Sequence, residues 1–137
     1  MDKELVLDIN ECNRPYWEAL AQGSLTFQSC VRCDHNWLPP SGSCPNCLST
    51  DWLWRKSAGR GKIVSWVVYH IAYHPAFKDR LPYNVAIIEL REGPRLISNV
   101  LGDCTQISAH AEVDLVIELE GEVHVPRFVL VGNIKPN

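Results

Sequence analysis

The chain has 137 residues, enough for one compact domain or two small ones and too few for a large enzyme built around a broad cleft. Hydrophobic residues make up 46% and charged residues 21%, an ordinary globular composition that argues against disorder, and no uncharged apolar run reaches the roughly 18 residues of a membrane-crossing helix. The net charge of −3 argues against a nucleic-acid binder, yet it hides an asymmetry: five basic and no acidic residues lie between Trp52 and Lys78, while the flanking segments are acidic.

From the N-terminus, Met1-Asp2-Lys3-Glu4 lacks the basic-then-apolar pattern of a secretory signal, so the expectation is a cytoplasmic protein without a membrane anchor. A short helix is predicted next. Asn13 can cap it, Pro15 is tolerated in its first turn and Gly23 stops it. Tyr16, Trp17 and Leu20 line one face, and a helix of about two turns needs that face covered. The cover is either the chain's own core or a partner, and the three residues are candidate partner contacts.

Four of the six cysteines then form two pairs, Cys30-x-x-Cys33 and Cys44-x-x-Cys47, ten residues apart. Two such knuckles supply the tetrahedral four-thiolate shell that zinc prefers, and a saturated shell makes the metal structural rather than catalytic. Iron suits the same ligands. The weaker readings are an empty, degenerate ribbon and a redox pair, and a reducing compartment disfavours disulfides. Knuckles of this kind favour Gly after the second cysteine, where the backbone needs positive φ; Asp34 and Leu48 stand there instead, and Leu tolerates that geometry poorly. His35 lies within reach of the set in sequence, but four cysteines suffice. Cys12 and Cys104 have no partner pattern and read as buried or incidental.

The remainder reads as β-structure. Trp52 to Arg55 is a strand leaving the ribbon, and Gly59 and Gly61 punctuate the chain before a long strand from Lys62 to His74. Further strands are predicted over 84–91, 95–101, 112–119 and 123–131, with turns at Glu92-Gly93-Pro94 and Glu120-Gly121-Glu122. Five strands whose one irregular connection, 103–110, falls between the third and fourth follow the order of an OB-fold barrel, with a small sandwich as the alternative. The domain boundaries expected are 1–25 for the helical segment, 26–56 for the ribbon and 57–137 for the barrel.

No catalytic constellation is visible. His70 and His74 share a strand face but stand roughly 13 Å apart, too far to hold one metal. The chain lacks a Gly-x-Ser-x-Gly elbow, a His-Glu-x-x-His helix and a phosphate-binding Gly-Lys-Ser/Thr loop. The positive stretch at Arg55, Lys56, Arg60 and Lys62 suits an anion with several acceptor oxygens, or an acidic protein surface.

The order of these pieces closely resembles one known family. Short aromatic helix, Cys30-x-x-Cys33, Cys44-Pro-x-Cys47, Ser57-Ala58-Gly59-Arg60-Gly61, His74-Pro75-Ala76-Phe77, 82–90 and Glu92-Gly93-Pro94-Arg95-Leu96 recur together in the zinc-ribbon/OB-fold acyl-CoA-associated proteins, long catalogued as a domain of unknown function. The resemblance runs from about Asn10 to Val131. It implies a mainly β chain with a rubredoxin-like zinc ribbon and an OB-fold, serving as a non-catalytic accessory subunit of a thiolase-like acyltransferase that works on CoA thioesters. Zinc at the four cysteines, a hetero-oligomeric enzyme partner and acyl-CoA contact through the barrel, with CoA phosphates near Arg55, Lys56, Arg60 and Lys62, follow as expectations. Two alternatives stand beside it. One is an accessory subunit of a MaoC-like enoyl-CoA hydratase; the other is a single-stranded nucleic-acid-binding module, with Trp66, Tyr69 and Tyr73 as stacking candidates.

Overall fold

The computed structural model describes residues 9–70 and 83–131; His74 and the 74–77 motif lie outside them. Helix α1 spans Arg14–Ala21, as the Pro15 and Gly23 signals predict. Gly23 takes φ 92°, and the N–H groups of Gly23 and Ser24 close onto the carbonyls of Leu20 and Ala19. Asn13 occupies the N-cap position but does not cap through its side chain. That oxygen instead accepts from Asn10 N–H at 2.8 Å, while Asn13 N–H donates to Asn10 Oδ1 at 3.0 Å.

A three-stranded ribbon sheet follows, ordered β2-β1-β3, from β1 (Thr26–Cys30), β2 (Asn36–Trp37) and β3 (Trp52–Lys56). Both neighbours run antiparallel to β1. The second sheet is the barrel, formed by β4 (Arg60–Tyr69), β5 (Tyr83–Leu90), β6 (Arg95–Ser98), β7 (Val100–Leu101), β8 (Glu112–Glu120) and β9 (Val123–Leu130). Its order is β6-β5-β4-β8-β9-β7. Among the described residues the structure is therefore mainly β with one short α-helix, and it has nine strands where the sequence reading counted five in the barrel and one leaving the ribbon.

The added strands have definite causes. The expected 95–101 strand is broken at Asn99 because the chain crosses there from β5 to β9. β6 pairs antiparallel with β5, and β7 pairs parallel with β9. Asn99 Nδ2 donates to the Asn84 carbonyl, the Asn99 carbonyl accepts from Phe128 N–H at 3.0 Å, and Ser98 Oγ donates to the Pro126 carbonyl at 2.9 Å. One short crossing thus joins the two ends of the sheet, as closure of a barrel requires.

The barrel core contains Ile63, Ala86, Ile88, Leu90, Val100, Val113 and Phe128, and it takes in Tyr16, Leu20 and Leu25 from the N-terminal segment. The helix is thus covered by the chain's own barrel and packs beside β9 and β1. Leu20 is fully buried, and burial pushes the Tyr16 phenol pKa up, so its ring enters the core uncharged. Among the described residues no helix is long and apolar enough to cross a membrane.

Two backbone positions carry unusual constraints. Gly61 sits where β4 is flanked by β5 and β8, and a Cβ there would lie 2.5 Å from the Glu89 carbonyl oxygen. Asp34 and Leu48 take φ 61° and 65°, the left-handed conformation expected after the second cysteine of each knuckle. Leu48 is 75% exposed, so no packing compensates it.

Gly61→Ala should therefore destabilise the folded chain by about 1–3 kcal/mol, because backbone rather than a flexible side chain must give way. Leu48→Gly should stabilise it by about 0.5–1 kcal/mol, the left-handed penalty relieved less the chain entropy glycine adds. Urea unfolding of both variants, with metal held at one equivalent, checks the two signs together.

Candidate metal centre and the cleft beside it

The four ribbon sulfurs meet through two copies of one turn. Cys30 N–H donates to the His35 carbonyl and Asp34 N–H to the Cys30 carbonyl, at 2.8 and 3.1 Å. In the second knuckle Cys44 N–H donates to Ser49 and Leu48 N–H to Cys44, both at 2.8 Å. Each turn aims two thiols to one side. The Sγ atoms of Cys30, Cys33, Cys44 and Cys47 all lie within 4.8 Å of one another, with Cys30–Cys47 and Cys33–Cys44 at 3.6 Å. A tetrahedral metal with bonds of about 2.3 Å to sulfur requires sulfurs ~3.8 Å apart, so the set fits zinc with little adjustment.

The electrostatics of the bare set point the same way. Cys33 is lowered to about 6, chiefly by the Asn46 side-chain amide (Nδ2 to Sγ, 3.5 Å) and then by the His35 backbone. Cys47 is raised to about 12: the Ser49 backbone N–H favours its thiolate, but desolvation and the sulfurs of Cys33, Cys30 and Cys44 outweigh that bond. One sulfur ionises readily and its neighbour resists, because adjacent thiolates repel. A divalent cation removes the repulsion and lets all four ionise together.

Surrounding side chains hold the turns. Cys30 and Cys44 are buried with Trp37, and Trp52 packs against them, donating Nε1–H to the Gly42 carbonyl at 2.9 Å. Gln28, fully buried, donates to the Ser41 carbonyl and accepts from Ser41 N–H, each at 2.7 Å. This pair pins the excursion between the knuckles, which includes the cis Leu38–Pro39 peptide. His35 is exposed, stacks on Trp37 with centroids 6.1 Å apart, and is not among the converging ligands.

Beside the ribbon lies a cleft of about 750 Å³, between α1, Pro39 and Pro40 of the excursion, and the barrel strands β5, β6 and β9. Its barrel wall includes Ile87, Leu96, Ile97, Val123 and Val125, and Ile97 is 73% exposed. Trp17 and Tyr16 close the helical side, their rings edge to face at 5.1 Å. Of the three helix residues singled out, Leu20 and Tyr16 thus belong to the core, and Trp17 keeps a side toward the cleft. Arg95 and Arg127 stand at the wall but carry carboxylate partners. Arg95 Nη2 lies 2.9 Å from Glu89, and Arg127 lies 3.6 Å from Glu118 and from Glu120. The Arg95 hydrogen bond holds the Glu89 carboxyl below its ordinary range.

The four cations of the positive stretch do not converge. Arg60 pairs with Asp114 at 3.5 Å and Lys62 with Glu89 at 3.7 Å, while Arg55 and Lys56 are exposed on the ribbon. The aromatic candidates for base stacking are engaged too: Tyr69 stacks on Tyr83 at 5.1 Å, and Trp66 packs against the barrel core. Tyr73 lies outside the described residues. Cys104 receives a 3.6 Å contact from Asn84 Nδ2.

Sequence reasoning missed the cleft, since its walls come from five separated segments. The adjacent prolines and the isoleucines at 87 and 97, which prove to be cross-strand partners, were its only local traces. It also missed Glu92. The carboxylate of that residue accepts from Ser57 Oγ at 2.9 Å and from Ala58 N–H at 2.8 Å, and its carbonyl accepts from Asn36 Nδ2 at 3.0 Å.

Comparison with known proteins accords with this geometry. Residues 17–52 match the family model described as the ChsH2 rubredoxin-like zinc ribbon domain, and residues 54–122 match that of the ChsH2 C-terminal OB-fold domain. A DUF35 domain-containing scaffold protein of Methanothermobacter thermautotrophicus is 35% identical over 113 residues, covering 77% of this chain and 84% of that protein. A probable enoyl-CoA hydratase alpha subunit of Thermomonospora curvata is 38% identical over 123 residues, or 88% of this chain; the match spans only 38% of that longer relative. Among solved structures, a chain of the Ltp2-ChsH2(DUF35) aldolase superimposes with a TM-score of 0.81 at 37% identity, covering 91% of this chain and 98% of that one. With both of its parts matched in order and its relatives aligned across most of its length, the chain belongs to the DUF35 family of zinc-ribbon and OB-fold proteins.

Proposed function

We propose that this chain is a non-catalytic accessory subunit of a thiolase-like enzyme acting on CoA thioesters, with the ribbon holding the assembly and the barrel shaping access for the acyl group. The observation that carries this reading is the likeness, in sequence and fold, to nearly the whole of a chain from the Ltp2-ChsH2(DUF35) aldolase. The described residues support a binding role: the perturbed cysteines belong to a closed four-sulfur set, and the cleft is walled mainly by aliphatic and aromatic side chains. A cleft of about 750 Å³ falls within the ~300–1,000 Å³ typical of small-molecule sites, large enough for the acyl part of a thioester. Of the four cations, Arg55 and Lys56 are the ones left to meet an anionic group, since Arg60 and Lys62 already face carboxylates.

In this reading zinc is held by Cys30, Cys33, Cys44 and Cys47. When bound, it supplies folding energy to the ribbon and no open coordination position. The chain's own residues orient the ligands: the paired knuckle turns aim the thiolates, and Asn46 donates to the Cys33 sulfur.

A hydratase partner is the second reading, favoured by the likeness to the probable enoyl-CoA hydratase alpha subunit of Thermomonospora curvata. The two differ in the enzyme that supplies the nucleophile or base, while the role of this chain stays the same.

Metal analysis should give about one zinc per chain, and cobalt substitution should produce the intense sulfur-to-metal bands of a four-thiolate site. Cys44→Ser should lose that metal, and amide protection should fall in β1–β3 while persisting in β5 and β8. Unchanged metal content in the variant would refute the site.

Co-expression with a thiolase-like subunit should yield a stoichiometric complex that turns over an acyl-CoA, while the isolated chain does not. Ile97→Asp, on the exposed cleft wall, should lower turnover by the complex about tenfold or more, because burying an unpaired carboxylate opposes any apolar occupant. Turnover by this chain alone would sink the proposal. A complex formed with a hydratase instead would select the second reading.

A further inference from the structure

The ribbon sheet ends in an open edge whose hydrogen-bonding pattern can be assigned residue by residue. β3 pairs with β1 along one side, and none of the described residues pairs with its other side. Ser57 N–H donates to the Leu25 carbonyl at 2.8 Å and Val31 N–H to the Asp51 carbonyl at 3.0 Å. Bonded pairs alternate along an antiparallel ladder, so with this register Phe27/Arg55 and Ser29/Leu53 are the bonded ones. Trp52, Trp54 and Lys56 therefore direct their backbone N–H and C=O groups away from β1. Five residues of strand offer three donors and three acceptors in the spacing another strand needs.

The side chains narrow what that strand is. Trp52 and Trp54 lie on the inward face, packed respectively on the cysteine cluster and on the barrel core. Leu53 and Arg55 share the opposite face and are exposed, Leu53 at 47%. Neither Arg55 nor Lys56 forms an ion pair with any described residue, whereas Arg60 and Lys62 a few residues on both do. A charged edge ordinarily prevents indiscriminate pairing between sheets. Two uncompensated cations on an acidic protein do so selectively, rejecting basic strands and attracting acidic ones.

Building on the accessory-subunit reading, we propose that the outer edge of β3 is where the enzyme subunit docks, by adding to the ribbon sheet an extended acidic segment. In that segment an apolar side chain meets Leu53 and a carboxylate meets Arg55. Backbone pairing supplies the affinity, and the cross-strand side-chain pairs supply the register.

The test uses the whole chain, isotopically labelled, in complex with the co-expressed enzyme subunit, and reads amide exchange by NMR against the free chain. Added-strand pairing has an alternating signature. The amides of Trp52, Trp54 and Lys56 should slow at least tenfold, while those of Leu53 and Arg55, already bonded to β1, change little. Arg55→Glu should weaken the complex about tenfold, with Arg55→Lys near the parent and metal content unchanged in both. A complex that forms without the alternating protection overturns the edge assignment and leaves the accessory role standing. Failure of any complex to form overturns the accessory role and this inference with it.

Discussion

The carboxylate of Glu92 fastens the ribbon to the barrel, and the shape of the molecule between them depends on it. Glu92 belongs to the turn from β5 to β6, yet its side chain binds Ser57 and Ala58 on the connection leaving the ribbon, and its carbonyl binds Asn36 in β2. Three separated segments are thereby tied to one residue. Hydrogen bonds of this kind contribute only about 1 kcal/mol each in net terms. Swinging the ribbon away would break all three of them at once. Pro39 and Pro40 stand opposite the barrel wall across the cleft.

The two halves are stabilised by different means. The barrel has a continuous apolar core, reaching from Phe128 and Val113 to Leu20 and Tyr16 of the helix. The ribbon's own cluster is small, made of Cys30, Trp37 and Cys44 with Cys33 and Trp52 against it. A segment this small cannot offset its conformational entropy by burial alone, which is why small folds enlist metals. The sulfur geometry and the paired knuckle turns meet that need, and Gln28 adds a second clasp where the excursion is irregular. The helix, which lies before the ribbon in sequence, belongs to the barrel in packing.

These same facts explain what could be read from the chain. The knuckles were legible because cysteine spacing is a local property, and so was the left-handed backbone at Asp34 and Leu48, which follows from the turn each knuckle must make. The helix was legible from Pro15, Gly23 and the spacing of its aromatic face. What covers that face was left open, because packing is decided by β9, more than a hundred residues away. Asn99 illustrates a subtler limit. Its neighbours have uniform strand propensity, and only the need to reach two different strands breaks the segment there. The positive stretch was a correct count of charge but no guide to free charge, since Asp114 and Glu89 reach Arg60 and Lys62 through sheet pairings invisible in one dimension.

A scaffold must stay rigid while leaving surface unsatisfied, two demands that conflict in a protein stabilised only by burial. Here they are separated. Rigidity in the ribbon comes from directional bonds: four convergent sulfurs, the Gln28–Ser41 pair and the Glu92 clasp. None of these requires covering the outer edge of β3 or the isoleucine-lined wall of the cleft. Ile97 can remain exposed, and Leu53 and Arg55 can face outward, because the fold does not draw its stability from them. The cations follow the same division: Arg60 and Lys62 on the barrel face carboxylates, while Arg55 and Lys56 on the ribbon pair with none of the described residues.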